Sequence, residues 1–166
     1  MRRVALIVTF IFSVFLIAEA KNINIQLDSP FFGNSTTTNV NNFLGKKPLL
    51  LIFFYPDCPP CEKESEVLNK LYDEYRGKVN IIGISLSRDR YDIRDFIKNL
   101  KIKYPIWRIH SKNQLKAIGG ILATPTIVIL NGKGNIIAKC VGRRDYKFIK
   151  KHLDTLIKGE MKACSK

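Results

Sequence analysis

The stretch that most constrains this chain is Leu49 to Glu64. An apolar run, Leu49-Leu50-Leu51-Ile52-Phe53-Phe54-Tyr55, is broken by Pro56-Asp57-Cys58-Pro59-Pro60-Cys61-Glu62-Lys63-Glu64. A continuous apolar run of this length, bounded by Pro48 and Pro56, reads as a strand covered on both faces, as in a parallel or mixed sheet. Proline is tolerated in the first helical turn because its missing N–H would have had no intrahelical partner there. Cys58 is therefore expected at or near an N-cap, with a helix running on from Pro59 to about Arg76. Strand, short loop and helix put two thiols at the mouth of a buried sheet, spaced to close a small disulfide ring. A Cys-x-x-Cys in this setting points to redox chemistry, whereas a zinc site would need a second ligand pair.

The rest of the chain alternates strand and helix signals. Ile23 to Leu27 alternates apolar and polar, as a half-exposed edge strand does. Asp28 to Asn42 is turn-rich, with a short edge strand near Thr36 to Val40. Val67, Leu68, Leu71, Tyr72 and Tyr75 continue the helix that starts at the cysteines, and Gly77 stops it. Val79 to Ser85 is a second β-rich run, followed by Tyr91, Ile93, Phe96, Ile97 and Leu100 at helical spacing. Tyr104 to Ile109 is extended, and Asn113 to Ile118 is a brief helix ended by Gly119-Gly120. Thr126 to Leu130 and Asn135 to Val141 form a hairpin across Asn131-Gly132-Lys133-Gly134. Asp145 to Ile157 closes the chain as an amphipathic helix. The pattern predicts a three-layer α/β domain, a central mixed sheet flanked by helices with an added N-terminal strand or hairpin.

With 166 residues there is room for one well-filled core. Residues 1–20 carry the features of a secretory signal peptide. Met1-Arg2-Arg3 is positive, Val4 to Ala18 is apolar apart from Thr9 and Ser13, and Ala18-Glu19-Ala20 is a small-x-small cleavage site. As a helix the apolar stretch reaches roughly 22 Å, short of the ~30 Å hydrocarbon core. Export, with an uncleaved anchor as the alternative, places residues 21–166 in an oxidising periplasmic or other extracytoplasmic compartment. The formal charge of +14 falls only to +13 when residues 1–20 are removed. The lysines are spread along the chain, with no aromatic-interleaved basic stripe, so nucleic acid is excluded as a partner and weak attraction to an anionic membrane surface is retained.

These residues together resemble the thioredoxin superfamily, and within it the exported thiol–disulfide oxidoreductases of the TlpA/ResA kind. The likeness is carried by Gly45-Lys46-Lys47-Pro48 before the apolar strand, Cys58-Pro59-Pro60-Cys61 with Glu64, Gly83-Ile84-Ser85, Ala123-Thr124-Pro125-Thr126 and Asn131-Gly132-Lys133-Gly134. It implies a thioredoxin-like fold, a cis bond before Pro125 beside Cys58, protein thiols and disulfides as substrates, an upstream membrane electron donor, and service to cytochrome c maturation. It implies no cofactor beyond the cysteine pair and no metal. The family usually has Trp before the first cysteine and often a basic residue after the second. This chain has Asp57 and Glu62.

In that chemistry Cys58 attacks and Cys61 resolves. Pro59 and Pro60 have no N–H to offer the Cys58 sulfur, and Asp57 and Glu62 oppose a thiolate, so a reductant is expected. The alternatives are a disulfide-introducing oxidant and a Cu(I) carrier using the two thiolates. By the same likeness Glu64 moves protons for Cys61; the plainer reading is a solvated helix residue like Glu62 and Glu66. Thr124 and Pro125 are expected to offer backbone hydrogen bonds to an extended substrate segment. Cys140 and Cys164 form a candidate structural disulfide worth ~3 kcal/mol. Alternatively Cys140 is a small buried hydrophobe and Cys164 is free or joined to a partner. His110 and His152 read as surface or helix histidines and Trp107 as core.

Overall fold

The computed structural model describes residues 23–31 and 36–159. The proposed signal peptide and Cys164 lie outside the described residues. Ten regular elements follow in order: β1 (Gln26–Asp28), β2 (Thr37–Asn39), β3 (Leu49–Phe54), α1 (Pro59–Glu74), β4 (Asn80–Ser85), α2 (Arg90–Asn99), β5 (Ile106–Ile109), β6 (Thr126–Leu130), β7 (Ile136–Val141) and α3 (Tyr146–Ile157), with 3-10 turns at Val40–Phe43 and Lys112–Ile118. The strands form one mixed sheet in the order β2-β1-β5-β4-β3-β6-β7. β3, β4 and β5 are parallel, and parallel neighbours need crossover connections, which α1 and α2 supply.

β3 lies inside the sheet between β4 and β6, and every one of its residues is buried. Alternation along it divides the core in two. Leu50, Ile52 and Phe54 pack with Leu68 and Leu71 of α1, Ile93 and Phe96 of α2, and Ile149 and Leu153 of α3. Leu49, Leu51 and Phe53 face the other way, onto Ile25, Leu27, Val40, Leu115 and Ile118. The result is the three-layer α/β arrangement expected, the three α-helices on one face and the two 3-10 turns on the other, with the C-terminal end of β3 delivering Tyr55 and the cysteine loop to the end of the parallel strands.

Two expectations need correction. β1 is not an edge strand: it pairs with β2 on one side and β5 on the other, and Ile23, Ile25 and Leu27 are fully buried. Its period-two pattern records which residues face the core, while the edge is occupied by the short polar β2. Trp107 is half-buried rather than fully in the core, edge-on to Phe43 with ring centroids 6.0 Å apart.

Two of the family-like motifs meet in space. Gly45 donates its N–H to the Gly132 carbonyl at 3.2 Å, and a Cβ on Gly132 would stand 1.9 Å from the Gly45 carbonyl oxygen. Backbone cannot rotate out of the way as a side chain can. Gly132→Ala is therefore expected to cost about 2 kcal/mol by overpacking. Urea denaturation checks this, with the neighbouring exposed Lys133→Ala expected to stay within about 0.5 kcal/mol of the parent.

Candidate functional site

The site is built where β3 ends and α1 begins. Cys58 is the N-cap of α1, in extended backbone conformation, with prolines in the first two helical positions and no side-chain capping bond. The first two free N–H groups of the helix, those of Cys61 and Glu62, both donate to the Cys58 carbonyl, at 2.8 and 3.1 Å. Cys58 and Cys61 are joined by a disulfide, with Cα atoms 5.2 Å apart. Their environments differ: Cys58 is half-buried at the surface, while Cys61 is turned inward and 2 % exposed. Asp57 and Glu62 flank the pair and are both exposed, so water and salt screen their influence on it.

The loop before β6 closes over this disulfide. The Thr124–Pro125 peptide is cis and Pro125 is buried. Thr124 Oγ1 lies 3.6 Å from Cys58 Sγ, within hydrogen-bond reach of sulfur. Thr126 Oγ1 donates to the Ala123 carbonyl at 2.6 Å and the Pro125 carbonyl accepts from Gly142 N–H at 2.8 Å, which pins the loop on both sides. Proline has no N–H and its carbonyl is occupied, so of the two residues singled out it is Thr124 whose backbone groups have no hydrogen-bond partner among the described residues.

Glu64 is not a solvated helix residue. It is fully buried, unlike the exposed Glu62 and Glu66. Oε1 accepts the Arg144 N–H at 2.7 Å, and Oε2 is buried without a partner. Burial pushes its carboxyl up from 4.5 to about 7, only partly offset by the Arg144 N–H and the positive charges of Arg143 and Arg144. A carboxyl in that range, one helical turn beyond Cys61, exchanges protons near neutrality.

Three contributors were not foreseen from the sequence. Ser65 Oγ donates to the Cys61 carbonyl at 2.9 Å and is met by the Tyr104 hydroxyl at 3.1 Å. Tyr104 is held protonated by burial, its pKa raised well above the ordinary tyrosine range. Arg144 enters from the loop between β7 and α3, the same loop whose Gly142 holds Pro125. A serine four residues after Cys61 is a legible back-bonding signal. Nothing local announces Tyr104 or Arg144, which lie tens of residues away.

The other candidates lie apart. Cys140 is buried in β7 and is not a free thiol; Cys164 lies outside the described residues, and their pairing stands as a proposal. His110 is half-exposed beside Asp28, which also holds Arg108 at 2.7 Å. His152 bonds the Phe148 carbonyl one turn back on α3. Among the described residues no cluster of three His, Cys, Asp or Glu side chains is arranged to hold a metal ion, and no helix is long and apolar enough to cross a membrane.

Residues 29–157 match the Redoxin family. Over 115 residues the chain is 30% identical to the thiol-disulfide oxidoreductase ResA of Halalkalibacterium halodurans, covering 69% of this chain and 64% of that one. The ResA of Bacillus thuringiensis is 27% identical over 115 residues, 69% of this chain and 65% of its own length. The match thus spans slightly less than two thirds of these relatives. Among solved structures, StoA from Bacillus subtilis superposes with a TM-score of 0.63 at 24% identity, covering 79% of this chain and 97% of that one. The fold is thioredoxin-like.

Proposed function

The chain belongs to the Redoxin family, and from that premise we propose that it is an exported thiol–disulfide oxidoreductase that reduces disulfides in client proteins. The observation that carries the reading is the asymmetric pair: an accessible Cys58 at a helix start, bonded to a buried Cys61 and covered by the cis-Pro125 loop. In the reduced protein the Cys58 thiolate attacks a client disulfide, forming a mixed disulfide and releasing one client thiolate. Cys61 then loses its proton and attacks Cys58 Sγ, which expels the second client thiolate and leaves the Cys58–Cys61 disulfide. Two electrons pass to the client, whose two released thiolates take up protons from solvent. Glu64 accepts the Cys61 proton in the second step, and Thr124 offers its N–H and C=O to the client backbone as an added strand.

Direction follows from what supports the Cys58 thiolate. The positive end of α1 favours it, yet Pro59 and Pro60 have no N–H to give, and the next two N–H groups are committed to the Cys58 carbonyl. A poorly supported thiolate means a less stable reduced form and a more reducing couple. The signal-like residues 1–20 support export, and a reductant in an oxidising compartment needs an upstream membrane electron donor. Cytochrome c maturation is the service the resemblance suggests, and the net positive charge supports weak contact with an anionic membrane surface.

Equilibrating the Cys58–Cys61 pair against a glutathione or dithiothreitol buffer tests the direction. A midpoint below about −200 mV is expected, and one near −120 mV, the range of a strong oxidant, would overturn the reductant assignment.

A further inference from the structure

A cleft of ≈ 460 Å³ opens beside the disulfide, lined among others by Tyr55, Leu86, Lys112, Leu115, Leu122 and Thr124. It is continuous with the redox centre, because Thr124 is at once its wall and the residue whose hydroxyl meets Cys58 Sγ. Two features of its lining are out of keeping with an idle surface. Leu122 is 90% exposed, three residues from Pro125, with its apolar surface given to water. Lys112 donates to the Tyr55 hydroxyl at 2.6 Å and stands 5.1 Å from that ring's centre, so its ammonium is held at the rim rather than swinging freely. Lys116 is one turn further along the same wall. Neither lysine has a carboxylate partner among the described residues.

The other flank of the disulfide has the opposite sign. Asp57, Glu62, Asp92 and Asp95 line a separate groove between α1 and α2, and none of them is in an ion pair among the described residues. The two grooves beside Cys58 thus differ in the charges that line them, lysines on the Leu122 side and carboxylates in the groove against α2, although α2 also carries Arg90, Arg94 and Lys98.

We propose that the Leu122 cleft seats the client polypeptide on one side of its reacting cysteine and selects a segment carrying an apolar residue with neighbouring carboxylates. This rests on the oxidoreductase reading and adds a substrate class to it. An extended segment advances ~3.3 Å per residue, so a side chain two positions from the client cysteine reaches the cleft while the client backbone runs along Thr124. The apolar side chain covers Leu86, Leu115 and Leu122, and its acidic neighbours face Lys112 and Lys116. The opposite flank of the client meets carboxylates, which repel a segment docked in the reverse sense.

The test uses two disulfide-linked peptides of equal composition, one with Leu-Glu-Glu before the cysteine and Lys-Lys after it, the other with these flanks exchanged. Stopped-flow fluorescence follows their reaction with the reduced full-length protein. The two rates are expected to differ about tenfold in 20 mM salt and to converge in 1 M salt. In Lys112→Glu/Lys116→Glu the preference is expected to shrink or invert, and Leu122→Ser is expected to slow the favoured peptide about fivefold. Rates within twofold of each other, or a preference untouched by the charge reversal, would overturn the proposal. The wild-type rate with hydroxyethyl disulfide, which has no flanks, separates the two levels. If it is brisk while the peptides are equal, only the cleft assignment fails; if it is at background, the oxidoreductase reading fails with it.

Discussion

Cys61→Ser is expected to convert turnover into accumulation, with Cys58 carrying a covalently attached client that dissociates only on added thiol. The two cysteines differ in access, and each step needs one of those two environments. Attack on a protein disulfide requires a sulfur that another protein can reach, and Cys58 is the half-buried one, at the helix start under the Thr124 hydroxyl. Resolution requires a second thiol within bonding distance and shielded from competing partners. Cys61, 2 % exposed, meets that need. On the proposed mechanism a serine at position 61 leaves attack intact and removes the resolving thiol, so the mixed disulfide is expected to persist. Cys58→Ser removes the attacking sulfur itself, and disulfide reductase turnover should fall on the order of 10³-fold or more, as when other catalytic nucleophiles are removed. Non-reducing electrophoresis of cells expressing each variant, followed by mass spectrometry of the shifted bands, separates the two. Adducts on Cys61→Ser and none on Cys58→Ser are expected. Adducts on Cys58→Ser instead would reverse the assignment of attacker and resolver.

The parts of the molecule that were legible in advance are those whose cause is local. The apolar run at Leu49–Phe54 reads as a doubly covered strand and the prolines at 59 and 60 as a first helical turn, both as found, so the disulfide's position on the fold followed from about a dozen residues. The start of the closing helix at Asp145 was legible too, and there Asp145 caps α3 through its bond to the Phe148 N–H. What was not legible depends on pairing across the chain. The role of β1 between β2 and β5 is set by Leu27 meeting Ile109 and Thr38, contacts with no trace in the sequence around residue 27. Glu62, Glu64 and Glu66 look alike as a string. Only the packing of α1 against the sheet, and the return of the chain at Arg144, bury the middle one and leave the others in water.

That burial gives the second large effect, in which stability and activity move in opposite directions. Glu64 titrates at about 7 in the folded protein against 4.5 ordinarily, because burial disfavours its charged form more than the Arg144 N–H and the two arginine charges favour it. Between those pH values the native protein holds a proton that the unfolded chain has lost. Stability must then fall as pH rises from about 4.5 to about 7 and level off above, by about 3 kcal/mol in all for a shift of this size. Glutamine keeps an oxygen for the Arg144 N–H and cannot ionise. Oxidised Glu64→Gln should therefore lose this slope in urea titrations, matching the wild type near pH 4.5 and exceeding it at pH 8 by up to about 3 kcal/mol. On the proposed mechanism the same change also removes, in the reduced protein, the proton acceptor for Cys61. Turnover should drop most near pH 7, by about 10²-fold, the lower end of what a positioned general base contributes. It should recover as the solvent approaches the ordinary thiol pKa of about 8.5 and deprotonates Cys61 directly. A merely structural Glu64 predicts the stability change with a flat activity profile. A stabilised variant whose activity is lost near pH 7 and restored above pH 8 identifies a carboxylate kept at an energetic cost because it moves the resolving proton.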